Sequence, residues 1–198
     1  MKYKAVLFDL DGTLLDYRAA QKASTGNTAG HFKLVNSPEV QNYESRGVPL
    51  PDSTEMKRVF IGFGVHTDPV KFLDTYFKRL SQHGILVAGA AKLLEELNGK
   101  VKLAVVSNGH SSVQLPRMQK AGIASYFPHL FFSRDMDIAK PDPEILRIAI
   151  NTLGVTPEET LFIGDSTTSD QPAANSAGID FFLFKGNYSD PELRKLLL

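Results

Sequence analysis

Short apolar runs alternate with helical patterns along most of this chain, and that alternation constrains the fold more than any other feature. KAVLF (4–8), VKLAVV (101–106), TLFI (160–163) and IDFFLF (179–184) are short and apolar, as strands buried on both faces are. A further apolar stretch lies near 130–132. Between these runs the punctuation is helical. GAAKLLEELNG (89–99) sets leucines at 93, 94 and 97 ahead of a glycine stop. SSVQLPRMQKAG (111–122) begins on serine and ends on glycine, with Pro116 arguing for a kink or a late start. DPEILRIAINTLG (142–154) offers Asp142 as N-cap, Pro143 at the first helical position and Gly154 as stop. SDQPAANSAG (169–178) is short and built of small residues. Strands and helices in alternation predict βαβ units and an α/β fold with a doubly wound parallel sheet.

Residues 17–87 break the rhythm. They lack strand-like runs and mix turn-rich stretches (STGNTAG, GVPLPDST) with helix-like ones (STEMKRVFIGFG, DPVKFLDTYFKRLSQHG). In the last of these, Asp68 caps, Pro69 opens, and Val70, Phe72, Leu73, Tyr76, Phe77 and Leu80 form an apolar stripe that reads as packing surface. The expected organisation is a core domain of residues 1–16 and 88–198, with a mainly helical domain, 17–87, inserted after the first strand.

Composition narrows the function. Lysine plus arginine equals aspartate plus glutamate, at 22 each in 198 residues, so no global basic field draws in nucleic acid or an anionic membrane. There is no cysteine, which removes disulfides, zinc–thiolate sites and cysteine nucleophiles. Four apolar residues, 5–8, precede Asp9, short of the ~7–15 of a signal peptide. No stretch approaches the ~18 of a membrane span. A cytoplasmic protein, free of membrane and nucleic-acid polymer, is expected.

In a doubly wound sheet, ligands bind at the carboxyl ends of the strands. There this sequence sets Asp9 and Asp11 after the first run, Ser107-Asn108-Gly109 after the second, Lys140-Pro141-Asp142 in a later loop, and Asp165 after TLFIG, with Asp170 five residues on. Each has a plainer reading. LDGT suits a hairpin turn, Ser107 a cap or turn, Lys140 a solvated surface, Asp165 a turn. Convergence on one edge favours a site. Carboxylates without histidine or cysteine suit a hard cation such as Mg2+. Serine and backbone N–H groups suit phosphate oxygens, and a lysine balances charge. Phosphoryl transfer asks for little more: a carboxylate nucleophile and a second carboxylate to move the proton.

These residues resemble the haloacid dehalogenase superfamily. DLDGT is similar to its first motif, VVSNG to its second, KPDPEI to its third and GDSTTSD to its fourth, in the family's order. The resemblance implies a Rossmann-like core with a helical cap over the site, and a Mg2+-dependent phosphatase working through an aspartyl-phosphate. It implies Asp9 as nucleophile and metal ligand, and Asp11 as acid–base, its backbone carbonyl also on the metal. Thr13 and Ser107 would face phosphate with their hydroxyls, and Asn108 would hold it through its backbone N–H. Lys140 would balance charge, Asp165 would complete the metal ligands, and Asp170 would be a metal-side or supporting carboxylate. SNGHSSVQLPRMQKAGI followed by IAKPDPEIL is similar to the pyrimidine 5′-nucleotidase and phosphoglycolate phosphatase-like branch, whose substrates are small phosphorylated metabolites.

Two rival classes stay open at this point. A phosphomutase would use the same aspartates and return the phosphoryl group, and a phosphate-binding regulator would keep the fold without turnover. A dehalogenase is disfavoured, because it needs no acid–base at Asp11. In the insertion, Arg46, Lys57, Arg58, Phe60, Phe63 and His66 are candidate substrate contacts, each with the plainer reading of a surface or cap-core residue. Oligomeric state is not readable from the sequence.

Overall fold

The computed structural model describes residues 2–32 and 68–197. Five strands, β1 (Ala5–Phe8), β2 (Lys102–Ser107), β3 (His129–Phe132), β4 (Thr160–Gly164) and β5 (Asp180–Leu183), form one parallel sheet in the order β3-β2-β1-β4-β5. The order reverses at β1: the chain runs outward to β3 on one side, then returns to lay β4 and β5 on the other.

Burial on both faces explains the continuous apolar runs. Side chains still alternate with period two. Val6, Phe8, Leu103, Val105, Leu161 and Ile163 fill one core layer, and Ala5, Leu7, Ala104, Val106 and Phe162 fill the other. The first layer is covered by α3 (Ala90–Leu97), α4 (Ser111–Lys120) and α8 (Pro191–Leu197), and the second by α6 (Glu144–Leu153) and α7 (Asp170–Ala177). A single turn, α5 (Ser133–Met136), follows β3 directly.

Secondary structure differs from expectation in three places. STGNTAG (24–30), expected to be turn-rich, lies inside the helix Tyr17–His31, where the Ser24 and Thr28 hydroxyls donate to the carbonyls four residues back, at 2.6 and 2.7 Å. Pro116 lies inside α4, which already starts at Ser111, so there is no late start. Its ring forfeits one bond to the carbonyl four residues back. The α6 helix begins at Glu144, so Pro143 flanks it, while the Asp142 carboxylate still accepts from the Glu144 N–H at 2.9 Å.

Within residues 17–87, the described elements are α1 (Tyr17–His31), capped by Asp16, and α2 (Pro69–Leu80), capped by Asp68 with Pro69 at its start. The two pack together through Ala20, Tyr76 and Leu80, and Phe32, just past α1, lies near Phe72 with ring centroids 5.5 Å apart. The α2 stripe is narrower than its sequence suggests. Phe72, Leu73, Tyr76 and Leu80 are buried, but Val70 and Phe77 stay 53% and 39% exposed. Arg46, Lys57, Arg58, Phe60, Phe63 and His66 lie outside the described residues. No described helix is long and apolar enough to cross a membrane.

Candidate active site

Register brings the strand ends together. Phe8 pairs with Val105 on one side and Ile163 on the other, and the Asp9 N–H continues the ladder by donating to the Ile163 carbonyl at 2.9 Å. Asp9 thus stands one residue past β1, Ser107 ends β2, and Asp165 follows Gly164 at the end of β4. The Asp-Gly turn makes no hairpin, because both neighbours of β1 run parallel to it.

Lys140 arrives from the loop between α5 and α6. The Asn108 side chain docks that loop as a second backbone would. Its Nδ2 donates to the Lys140 carbonyl at 2.7 Å, and its Oδ1 accepts from the Lys140 N–H at 2.9 Å. The Lys140 ammonium, on a residue only 4% exposed, donates to Asp9 Oδ1 at 2.6 Å, Asp170 Oδ1 at 2.7 Å and the Val106 carbonyl at 2.9 Å. Three N–H donors meet three acceptors, which satisfies a buried ammonium.

One lysine faces several carboxylates. Burial pushes the Asp9 carboxyl up to about 8, against the pull of Lys140 and with the Asp170 charge adding to the rise. Burial works to strip the Lys140 proton as well, but Asp9 and Asp170 outweigh it and hold the group above the ordinary lysine value. Asp165 is raised too, by partial desolvation and then by Asp170. Carboxylate oxygens of Asp9, Asp165 and Asp170 lie within 4.8 Å of one another. An excess of hard oxygen donors packed so closely fits a divalent cation. Asp170 is the least free of the three: its Oδ1 takes Lys140 and its Oδ2 accepts from the Ser166 N–H at 3.0 Å.

Two glycines make the crowding possible. A Cβ on Gly12 would sit 2.1 Å from Asp165 Oδ2, and one on Gly164 would sit 2.5 Å from Asp170 Oδ2.

The Asp11 carboxylate turns toward α4 at the same edge. Its Oδ1 accepts from Arg117 Nη1 at 2.6 Å and its Oδ2 from Gln114 Nε2 at 2.6 Å. Gln114 Nε2 also reaches Ser107 Oγ at 3.2 Å, while Gln114 Oε1 accepts from Arg117 Nη1 at 2.7 Å. Arg117 is fully enclosed. Its Nε donates to the His83 carbonyl at 3.2 Å, and its guanidinium lies 5.7 Å from the Tyr17 ring centre. Thr13 is also enclosed, its hydroxyl without a partner among the described residues. Its carbonyl accepts from the Tyr188 hydroxyl at 2.8 Å.

The structure therefore gathers Asp9, Ser107, Lys140, Asp165 and Asp170 at one sheet edge, with Asp11 tied to the same edge through Gln114. Thr13 is enclosed in the turn after β1, and the Asn108 side chain serves the Lys140 loop. Gln114, Arg117 and Tyr188 are absent from the expectations. The available signal for the first two is their spacing: three residues apart, they share the inward face of α4 with Met118.

Comparison with known proteins identifies the family. A family model described as haloacid dehalogenase-like hydrolase matches residues 6–184. The pyrimidine 5′-nucleotidase PynA of Streptococcus pneumoniae is 32% identical over 91% of this chain and 83% of its own length. The N-acetylmuramic acid 6-phosphate phosphatase of Pseudomonas putida is 29% identical over 97% of this chain and 87% of its own. Among solved structures, the magnesium-bound HAD-hydrolase YfnB of Bacillus subtilis superposes with a TM-score of 0.78 at 24% identity, covering 100% of this chain and 99% of its own.

Proposed function

This chain belongs to the haloacid dehalogenase-like hydrolases, and from its site we propose a Mg2+-dependent phosphatase that hydrolyses a small phosphate monoester through an aspartyl-phosphate. The observation that carries this is the Lys140 ammonium, 2.6 Å from Asp9 and 2.7 Å from Asp170, beside the exposed Asp165. One positive charge among three carboxylates leaves room for a cation and for an incoming phosphate.

In this reading Asp9 attacks phosphorus, and the bond to the leaving alcohol breaks as the bond to Asp9 forms. Asp11 gives a proton to the departing oxygen, then takes one from the water that hydrolyses the acyl phosphate. Lys140 offsets the charge of Asp9 and of the transferring group. Thr13, Ser107 and the Asn108 N–H hold phosphate oxygens. Asp9, Asp165 and the Asp11 carbonyl would hold Mg2+, with Asp170 anchoring Lys140 behind them; the ion supplies charge neutralisation when bound. Residues 17–87 act as a cap that excludes water and selects the substrate. Identity to PynA makes pyrimidine nucleoside 5′-monophosphates the first class to try.

The test is phosphate release from a panel of nucleoside monophosphates, phosphoglycolate and sugar phosphates. Wild type should turn over at least one ester, stop in EDTA and recover with Mg2+. Asp9→Asn should abolish turnover while keeping the wild-type far-UV circular dichroism. Near-wild-type activity in Asp9→Asn, or indifference to EDTA, would sink the proposal.

A further inference from the structure

The contacts of Asp11 extend the site by two residues. Both oxygens of that carboxylate receive donors from one helix face, Gln114 and Arg117 of α4. Neither donor is a mobile surface group: Gln114 is buried and Arg117 is fully enclosed. The two are braced against each other, since Gln114 Oε1 accepts from the same Arg117 Nη1 that reaches Asp11. Arg117 is held in turn by the His83 carbonyl and the Tyr17 ring. Gly109 is shaped to this arrangement, because a Cβ there would stand 2.5 Å from Gln114 Nε2.

A buried arginine fixed at four points is costly to bury and contributes little stability for that cost. Its placement makes physical sense if the position of the carboxylate matters. Gln114 adds a second effect. Its amide has two N–H donors; one reaches Asp11 and the other Ser107 Oγ. A serine oxygen that accepts from the amide keeps its own O–H free to donate elsewhere. One side chain therefore sets both the carboxylate and the direction of the serine proton.

We propose that Gln114 and Arg117 are positioning residues for proton transfer, holding the Asp11 carboxylate and the Ser107 hydroxyl in a single fixed arrangement at the site. The proposal rests on Asp11 being the acid–base group. Each carboxylate oxygen has two lone pairs. The clasp takes one on each and leaves the other to carry the proton. That proton passes to the alcohol oxygen as its bond to phosphorus breaks and the bond from Asp9 forms. A few tenths of an ångström of drift in Asp11 weakens this transfer without touching attack by Asp9.

Leaving groups separate the two. p-Nitrophenolate departs without a proton, whereas the alkoxide of benzyl phosphate needs one. The readout is the ratio of kcat/KM for p-nitrophenyl phosphate to that for benzyl phosphate, measured with Mg2+ in wild type, Asp11→Asn, Gln114→Met and Arg117→Lys. Loss of a general acid is worth about 10²–10⁴-fold on the ester that needs it, so the ratio should rise on the order of 10²-fold in Asp11→Asn. In Gln114→Met and Arg117→Lys it should rise about tenfold or more. A purely structural role would lower both activities together and leave the ratio at the wild-type value. Thermal melting shows which variants fold, and Gln114→Met, close to isosteric, carries the test if Arg117→Lys does not. A raised ratio in Asp11→Asn with wild-type ratios in the folded clasp variants overturns the proposal alone. An unchanged ratio in Asp11→Asn overturns the acid–base reading of Asp11 and the proposal with it.

Discussion

The Lys140 ammonium lies 2.6 Å from the carboxylate of Asp9, a residue 131 positions away in sequence. Its second carboxylate partner, Asp170, is buried. Removing one member of a buried ionic cluster strands the others, at a cost of about 3–5 kcal/mol. Lys140→Met should therefore lower stability by about that amount in urea unfolding of the metal-free protein. Phosphate release should fall below detection, because neither Asp9 nor the transferring group keeps its counter-charge. A variant as stable and active as wild type would show that the cluster tolerates its charges without the lysine.

In the proposed reading, the same cluster would link cation binding to pH. Asp9 is raised to about 8, first by burial. The folded, metal-free protein should therefore keep a proton on Asp9 at pH values where the unfolded chain has lost it. From this group, metal-free stability falls as pH climbs from about 4 to about 8, since the native state binds more protons than the unfolded one. A divalent cation competes with that proton. Mg2+ affinity should rise with pH, by up to about tenfold per unit if one proton is displaced, and level off above about pH 8. Calorimetric titration in buffers of different ionisation enthalpy reads both the affinity and the proton released. Binding that is flat between about pH 6 and about pH 8 would mean that Asp9 is already ionised in the metal-free protein.

The strand ends were the most legible part of this chain, and for a physical reason. Strands buried on both faces must be short and apolar, so Asp9, Ser107 and Asp165 stand out as the first polar groups after each. Parallel register then brings them to one edge with no further information. Lys140 is legible only through the spacing of its motif, because Asn108, rather than any regular element, docks its loop. Gln114 and Arg117 are hidden by the ordinary look of their helix. Buried polar residues on an inward face carry the same spacing as apolar ones, and only the partner, Asp11, gives them meaning. Pro116 does not delay its helix in the same segment, because α4 already runs from Ser111.

Gly12 offers a test of how tightly the turn and the cation site are joined. Its backbone is left-handed, at φ +84°, where a side chain costs about 1–2 kcal/mol. Space is the larger constraint, because an added Cβ would stand 2.1 Å from Asp165 Oδ2. No real contact is that short, and Asp165, an exposed side chain at the end of β4, is the group free to yield. Gly12→Ala should thus keep the fold, with a stability loss of about 1–2 kcal/mol from backbone strain. Asp165 displaced from Asp9 and Asp170 should weaken Mg2+ binding at least tenfold by calorimetric titration, about 1.4 kcal/mol. Raising Mg2+ should recover part of the phosphatase activity, which separates a displaced ligand from a damaged nucleophile. Wild-type Mg2+ affinity in a folded Gly12→Ala protein would show that Asp165 does not contribute to holding the cation.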